Sequence, residues 1–407
     1  MTAVTGAPDA AIARKAAERR AAGVACGAHA LHDGYTDLIY VMLPVWQAEF
    51  GIGYAALGLL RSCYSGAMAA LQIPAALAAE RLGVPLVLAG GTALAGLGYL
   101  IAGASVGVWT LVIALLIGGL GSSTQHPLAS ALIARAFAGP RSLGWLGTYN
   151  FAGDLGKMTV PAAASLMLVA MPWQPAVAVL GALGIVAAGA IVALTPHFVS
   201  EPPVPAKAAD GGQAAPEARG RSARLGFPVL LAIGILDSAT RMGFLVFLPF
   251  VLLAKGAGLP TVGFALTLVF AGGAAGKLVC AFIGARIGVI ATVCLTEGLT
   301  TIGILALLPL PLQAALVLLP MIGIALNGTS SVLYGSVPEL VEPAKRARAF
   351  SVFYTGTIGS GAASPAIYGF LGDLTSVPTA LFTVAGVCLL TLPLAIALRP
   401  ALPPSAR

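Results

Sequence analysis

Residues 24–48 read VACGAHALHDGYTDLIYVMLPVWQA, an apolar stretch long enough to cross a lipid bilayer as one helix. Within it stand His29, Asp33, Asp37 and Tyr40, at intervals of four, four and three residues. These intervals place the four polar side chains on one face of a helix. A charge near the bilayer centre costs at least about 2.5–3.5 kcal/mol, so such residues usually mark a site or a pathway. The stretch therefore predicts a membrane helix whose polar face lines an internal cavity.

The composition extends this prediction to the whole chain. Of its 407 residues, 58% are hydrophobic and only 9% are charged, whereas soluble domains carry roughly 25% charged residues. The net charge of +7 comes from basic residues in short predicted loops, which argues against a nucleic-acid partner. We therefore expect a protein whose solvent is the lipid bilayer.

Twelve apolar stretches are long enough to span a bilayer. The segment 198–225 is rich in Ala, Pro, Gly and charge, and it predicts a flexible linker between six spans and six spans. We expect an N-terminal tail over 1–23, helix bundles over 24–197 and 226–398, and a C-terminal tail over 399–407. The predicted spans are 24–48, 55–79, 84–105, 108–135, 142–170, 174–196, 226–254, 259–283, 287–309, 311–337, 346–371 and 376–398.

Basic residues in the predicted loops lie almost entirely on one side of the membrane. With the N-terminus in the cytoplasm, the opposite side holds only Lys255. Cytoplasmic loops carry the excess of Lys and Arg in membrane proteins. We therefore expect a multi-pass protein of the cell inner membrane with both termini in the cytoplasm.

The two halves share a weak sequence repeat. RLGV at 81–84, after the second span, recurs as RIGV at 286–289, after the eighth span, at an offset of 205. Pro161 recurs as Pro365 at an offset of 204. Because both halves begin on the same side, the offsets predict parallel repeats about an axis along the membrane normal.

Short motifs in the first, second, fourth and fifth spans carry a family resemblance. They comprise His29, Asp33, Pro44, Glu49, Phe50, Leu71, Gln72, Pro74, Gly121, Ser122, Ser123, His126, Pro127, Asn150, Phe151, Gly156 and Pro161. With these motifs the chain resembles the major facilitator superfamily and, within it, the fosmidomycin-resistance family of exporters. The resemblance implies an all-α membrane protein with twelve transmembrane helices in two pseudo-symmetric six-helix bundles. It also implies a transporter rather than an enzyme.

Polar residues in other predicted spans are expected to face the same cavity, because the implied fold lines it with spans 1, 4, 7 and 10 and completes its walls with spans 2, 5, 8 and 11. Carboxylates and histidines at similar depth can exchange protons as access alternates, so we assign proton coupling to His29, Asp33, Asp37 and His126. The predicted substrate-binding residues are Arg61, Tyr40, Gln125, Asn150, Asp154, Lys157, Asp237, Arg241, Lys277, Asn327 and Tyr354.

Several of these charges have a structural alternative. Asp237 and Arg241 lie one helical turn apart and could simply neutralise each other. Asp154 and Lys157 could do the same. Alternatively, Lys157 and Arg241 could clamp an anionic group from opposite halves.

Charges at the predicted cytoplasmic loops indicate a gate between the halves. The expected gate residues are Glu80, Arg81, Arg286, Glu339 and Arg346. Glu297, in the ninth span, is instead expected to serve structure, because that span usually faces lipid or neighbouring helices in the implied fold.

His29, His32 and Asp33 could be read as a metal site, but no second cluster with ligand spacing accompanies them, so we expect neither a metal nor another cofactor. The chain has no His-Glu-x-x-His and no Gly-rich phosphate loop, so we expect neither an enzyme nor an ATP-driven pump.

The leading hypothesis is a proton-coupled secondary transporter, expected to be a monomer. It would move a small polar, anionic or zwitterionic solute by alternating access, as drug or metabolite export by antiport. Uptake by proton symport is one alternative, and a non-transporting membrane sensor is another. The expected partners are the small-molecule substrate, protons and the lipid bilayer.

Overall fold

The computed structural model of the chain describes residues 7–137, 140–196, 221–342 and 345–402. Over these ranges the secondary structure is helical, without a strand. Most of the predicted linker, 198–220, lies outside the described residues, as do 1–6 and 403–407 of the predicted tails.

Six spans form the N-terminal half, and two of them are each divided into two helical segments. Their bounds are α1 Ala7–Phe50, α2 Tyr54–Ala70, α3 Gln72–Leu82, α4 Val84–Gly103, α5 Val108–Ser122, α6 Gln125–Ala136, α7 Pro140–Ala170 and α8 Trp173–Leu194. The second span is interrupted at Leu71 and the fourth at Ser123 and Thr124. Helix α1 therefore begins well before the predicted first span and includes part of the predicted N-terminal tail.

Six further spans form the C-terminal half, and the last of them is divided at Leu390. Their bounds are α9 Arg221–Ala254, α10 Leu259–Ile287, α11 Val289–Leu307, α12 Leu312–Leu340, α13 Arg346–Leu374, α14 Val377–Leu389 and α15 Thr391–Leu398, followed by a 3-10 turn at Arg399–Ala401. Over the described ranges the chain therefore forms twelve transmembrane spans, as predicted.

Eight stretches of the described residues are long and apolar enough to cross a membrane by length and composition alone. The spans outside this set are α1, α2 with α3, α7 and α13. These helices carry Asp33, Arg61, Asp154 and Thr357, which line a cavity between the halves. Their lower hydropathy therefore reflects a polar inner face.

Matching helix pairs confirm the pseudo-symmetry of the two bundles. In the N-terminal half α1 packs against α7, α2 against α5, and α4 against α8. The equivalent contacts in the C-terminal half join α9 with α13, α10 with α12, and α11 with α14 and α15. Each half is thus one six-helix bundle built on the same plan.

The sequence repeat corresponds to a repeated backbone turn. Gly83 joins α3 to α4 with φ +86°, and Gly288 joins α10 to α11 with φ +84°. A positive φ strains residues that have a Cβ atom, and glycine adopts it without this cost. The two RxGV segments therefore place a glycine at the equivalent turn of each half, where the chain reverses direction.

The halves meet mainly at one end of the molecule. We call the end where α8 finishes and α9 begins the linker end, and the opposite end the far end. At the far end, the Asp373 carboxylate of α13 accepts the N–H groups of Tyr54 and Ala55 at 2.7 and 2.8 Å, at the start of α2. Helices α7 and α10 also join the halves, whereas among the described helices α3 has no comparable packing against the C-terminal half. The far end is therefore closed.

Candidate functional site

A cavity of about 360 Å³ lies between the two halves. Its lining includes hydroxyl, apolar and charged side chains from both bundles. The predicted site residues that line it are Asp33, Asp37, Arg61, His126, Asp154, Lys157, Arg241 and Asn327.

Asp33 is the centre of the charged cluster on the N-terminal side of the cavity. Its Oδ2 atom lies 3.2 Å from His29 Nε2 and 3.2 Å from Lys157 Nζ. Its Oδ1 atom lies 3.7 Å from His126 Nε2. Three helical segments, α1, α6 and α7, thus bring basic groups to a carboxylate that is only 7% exposed. A buried carboxylate requires such compensation.

The hydrogen bonds of His29 fix where a proton must be. Its Nδ1 atom lies 2.8 Å from the main-chain oxygen of Tyr149. A carbonyl oxygen only accepts, so Nδ1–H is the donor and a neutral His29 has no hydrogen on Nε2. The contact between Nε2 and Asp33 then needs a further proton, on the imidazole or on the carboxyl group. The contact at 3.2 Å is therefore a hydrogen bond only when one of the two groups carries that proton.

Asp154 connects this cluster to the other half. Lys277 Nζ, on α10, lies 2.7 and 2.6 Å from the two Asp154 carboxylate oxygens. Lys157 Nζ is 3.9 Å from Asp154 and closer to Asp33. The alternative of a local pair between Asp154 and Lys157 is therefore the weaker interaction. A chain of charges runs from Asp33 through Lys157 and Asp154 to Lys277, across the boundary between the halves.

Arg61, on α2, is a buried cation with only a distant carboxylate. Its side chain is 3% exposed, and its nearest Asp37 contact is 4.0 Å. It donates to the Ser65 hydroxyl, and its guanidinium carbon lies 4.9 Å from the centre of the Tyr40 ring. Its Nε atom is buried without an acceptor in the described residues. The side chain lines the cavity with unused hydrogen-bonding capacity.

Arg241 and Asp237 form a close pair on α9, with 2.8 Å between guanidinium nitrogen and carboxylate oxygen. This is the mutual neutralisation that their spacing allows, yet Arg241 also lines the cavity. Asp237 lies behind it, next to Glu297 of α11. Glu297 is 1% exposed and accepts from Cys388 Sγ at 3.0 Å. It thus lies inside the bundle rather than on the lipid-facing surface.

Other predicted substrate-binding residues lie outside the cavity lining. Tyr40 is fully buried beneath Arg61, and Gln125 is buried and donates to the Tyr149 hydroxyl at 2.8 Å. Asn150 and Tyr354 are exposed elsewhere. Their assignment to substrate binding stays a prediction.

The predicted gate residues are exposed toward the linker end. Arg286 stacks over the Phe282 ring, with 4.3 Å between the guanidinium carbon and the ring centre. The gate remains a prediction for Glu80, Arg81, Arg286, Glu339 and Arg346.

The structure separates the histidines that the metal alternative would combine. His32 instead contacts two hydroxyl groups, with Nδ1 3.1 Å from Ser122 Oγ and Nε2 2.9 Å from Thr92 Oγ1. The ligand atoms of His29, Asp33 and His126 do lie within 4.8 Å of one another. The Lys157 ammonium already supplies a positive charge 3.2 Å from Asp33, which disfavours a metal ion there.

Several hydroxyl groups of the cavity were not predicted from the sequence. Thr36, Ser65, Ser330, Tyr334 and Thr357 all line it. Hydroxyls in membrane helices often bond to their own backbone, as Thr36 does to the His32 carbonyl at 2.9 Å. Such residues give no sequence signal that distinguishes a cavity position from a satisfied helix position.

Two repeated bundles around a charged central cavity define a multi-pass membrane transporter. The chain belongs to the Major Facilitator Superfamily, whose sequence profile matches residues 25–236 and 229–407. It is therefore a secondary transporter by family. A search of curated protein sequences finds no match.

Solved structures of transporters share this fold at low sequence identity. A bacterial homologue of the human lysosomal transporter Spinster, inward-facing and unoccupied, is similar with a TM-score of 0.76 and 15% identity over 94% of this chain and 97% of that chain. A mutant of the nucleoside transporter NupG is similar with a TM-score of 0.74 and 16% identity over 94% and 99% of the two chains.

Proposed function

We propose that the protein is a proton-coupled transporter of a small anionic or zwitterionic solute, working by alternating access in the cell inner membrane. The observation that carries the proposal is the chain of charges from Asp33 to Lys277. It joins a group that can hold a proton to an ion pair that spans the two halves.

The chain of charges supplies a coupling step. Protonation of Asp33 removes the negative charge that holds Lys157 at 3.2 Å. The freed ammonium, already 3.9 Å from Asp154, can then compete with Lys277 for that carboxylate. Weakening the contact between Asp154 and Lys277 lowers the cost of separating α7 from α10. A proton bound in one half thereby biases the arrangement of both halves.

Orientation follows from the loop charges. With the basic linker end in the cytoplasm, closure at the far end corresponds to a cavity that faces inward. Both termini are then cytoplasmic.

Export by antiport is the leading direction, and the resemblance to the fosmidomycin-resistance exporters supports it. Antiport requires the proton and the solute to compete. The ammonium group of a zwitterion meets this condition at Asp33, because protonation removes the carboxylate charge that would attract it. Drug or metabolite efflux would then be driven by proton entry.

Uptake by symport is the second candidate, and the pairing of Lys157 with Asp33 favours it for a purely anionic solute. Protonating Asp33 frees Lys157 to attract the anion. Proton and anion binding then strengthen each other, which is the linkage that symport needs.

Proteoliposomes with an internal pH indicator test the proposal and its direction. A gradient of anionic, zwitterionic or neutral solutes is imposed without a pH gradient. Proton movement opposite to the solute identifies antiport, and movement with it identifies symport. Solute flux without proton movement would refute proton coupling. Absence of flux with solutes that do bind would instead favour a non-transporting sensor.

A further inference from the structure

We propose that Arg61 and Arg241 together form an oxyanion-binding subsite that bridges the two halves of the transporter. The subsite would hold a carboxylate, phosphate or phosphonate group. The inference rests on the proposed function, because that group belongs to the transported solute.

Over the described ranges, Arg61 is the cation of the two that lacks a close carboxylate partner. A buried charge is costly unless it is paired and hydrogen-bonded. Its closest carboxylate contact, with Asp37, is 4.0 Å, which is too long for a hydrogen bond. Its near neighbours, Ser65 and Tyr40, are neutral. The guanidinium group thus lacks a directly bonded anion among the described residues.

The donor of Arg61 that lacks an acceptor among the residues described is its Nε–H group. Arg61 Nε is buried and has no hydrogen-bond acceptor in the described part of the chain. An unmade hydrogen bond at a buried donor is expensive. Because Arg61 lines the cavity, an anion in that cavity would supply the missing negative charge.

Arg241 presents the same feature from the C-terminal half. One terminal nitrogen is bonded to Asp237 at 2.8 Å, but Nε is buried without an acceptor in the described structure. A guanidinium group carries five N–H donors in a planar fork, so a bond to one carboxylate leaves donors for a second oxyanion. Its side chain is 21% exposed, and it lines the cavity.

Tyr40 relates the two arginines in space. Its ring lies 4.9 Å from the Arg61 guanidinium carbon, and its hydroxyl donates to Met242 Sδ at 3.1 Å. Met242 is the neighbour of Arg241 in sequence. Arg61 and Arg241 line the same cavity, one from each half. A ligand between them would contact both halves, as alternating access around a central site requires.

The pairing pattern favours Arg61 over Lys157 as the partner of Arg241. Lys157 is already 3.2 Å from Asp33, and its ammonium is a point charge without planar geometry. Arg61 has no such close carboxylate, and its fork can bind two oxygens of one oxyanion. The clamp between Lys157 and Arg241 considered from the sequence is thereby replaced by one between two arginines.

Thermal stabilisation of the purified full-length protein in detergent tests the subsite. Methylphosphonate, inorganic phosphate and acetate are titrated as oxyanion probes, and acetamide serves as the neutral counterpart of acetate. A ligand that binds only the folded state raises apparent stability. We expect at least one oxyanion to stabilise the parent protein and acetamide to have no effect. The oxyanion with the largest shift identifies the preferred headgroup.

Arg61→Lys and Arg241→Lys retain charge but remove the fork. Each is expected to weaken binding of the effective oxyanion by roughly tenfold or more. Arg19→Gln is the matched control, because Arg19 is exposed on α1 outside the cavity, and it should bind like the parent. Parent-like binding by either lysine variant overturns the bridging site, and so does failure of all three oxyanions to stabilise the parent protein.

The binding measurement needs no gradient, so it separates this proposal from the proposed function. Loss of binding in both lysine variants, with no proton movement in proteoliposomes, would retain the subsite and refute proton coupling. Proton-coupled flux together with parent-like binding in both variants would support proton coupling and refute the subsite.

Discussion

Lys277 and Asp154 belong to opposite halves, and the lysine ammonium lies 2.7 and 2.6 Å from the two oxygens of the aspartate. The pair joins α10 to α7. Any motion that separates these helices at this depth must break it. The pair is therefore positioned to stabilise the arrangement in which the far end is closed.

Lys277→Gln should shift the protein toward conformations with an open far end. The Lys277 side chain is 41% exposed, and Lys157 also lies near the buried Asp154 carboxylate, so we expect a modest effect of roughly 1 kcal/mol, or about fivefold in population. Distances between spin labels on the far ends of α2 and α13 measure the shift. Lys255→Gln is the control, because Lys255 bonds to Leu308 and Leu310 within its own half. Identical distance distributions in Lys277→Gln and the parent would contradict the role of the pair.

Asp33→Asn should abolish transport driven by a pH gradient while the protein stays folded. The amide keeps the shape of the side chain but cannot hold the proton shared with His29 or the charge that attracts Lys157. Uptake or release of an identified solute in proteoliposomes, with and without a pH gradient, measures the effect. Thr36→Val, on the same helix and also lining the cavity, should retain pH-driven flux. Unchanged pH-driven flux in Asp33→Asn would move the role to Asp37, Asp154 or His126.

Glu18 and Arg141 should make stability at the linker end depend on pH. Their side chains are 2.7 Å apart, and the hydrogen bond from Arg141 is the main cause that lowers the pKa of Glu18. A lowered folded-state pKa gives stabilisation that is present above the ordinary glutamate value of about 4.3 and is lost as pH falls through the folded-state value.

The difference in melting temperature between the parent and Arg141→Gln should therefore be constant at neutral pH and shrink on acidification below about pH 4. Thermal unfolding in detergent measures it. In a Glu18→Gln background no carboxylate remains to titrate at position 18. Adding Arg141→Gln to that background should change the melting temperature equally little at neutral and at acidic pH. A difference that grows on acidification would contradict the assignment.

Gly83→Ala and Gly288→Ala should each destabilise the protein by roughly 1–2 kcal/mol, because a Cβ atom strains the positive φ at both turns. Thermal unfolding of the two variants should show similar losses, as the repeat implies. Gly90→Ala is the control, since a Cβ there meets no atom within 4 Å. A loss in only one of the two turns would argue against their equivalence.

Local spacing predicted the parts of this molecule that depend on neighbours along one helix. Apolar length located the spans, the offset of RxGV located both turns, and four-residue spacing brought His29 to Asp33. These features follow from helix geometry and from the cost of placing charge in a membrane.

Contacts across the molecule could not be predicted in the same way. The spacing of Asp154 and Lys157 suggested a local pair, but each finds a better partner on another helix, in Lys277 and Asp33. The choice depends on how the helices are placed, which the spacing does not encode. The interruptions at Leu71 and Leu390 do have a local cause, because Pro74 and Pro393 follow them by three residues and lack the N–H that would bond the i−4 carbonyl.

The hydrogen bonds between Asp373 and the start of α2 depend on a side chain in one partner and on the main chain in the other, so the two partners differ in how they tolerate mutation. Their donors are main-chain N–H groups of Tyr54 and Ala55, so they persist when either side chain is exchanged for any residue except proline. The contact is therefore most sensitive to substitution of Asp373 itself and of Gly53, where a Cβ would lie 2.6 Å from Asp373. Exchange of the side chain at 54 or 55 therefore leaves both hydrogen bonds in place, whereas loss of the acid at 373 removes both bonds in one step.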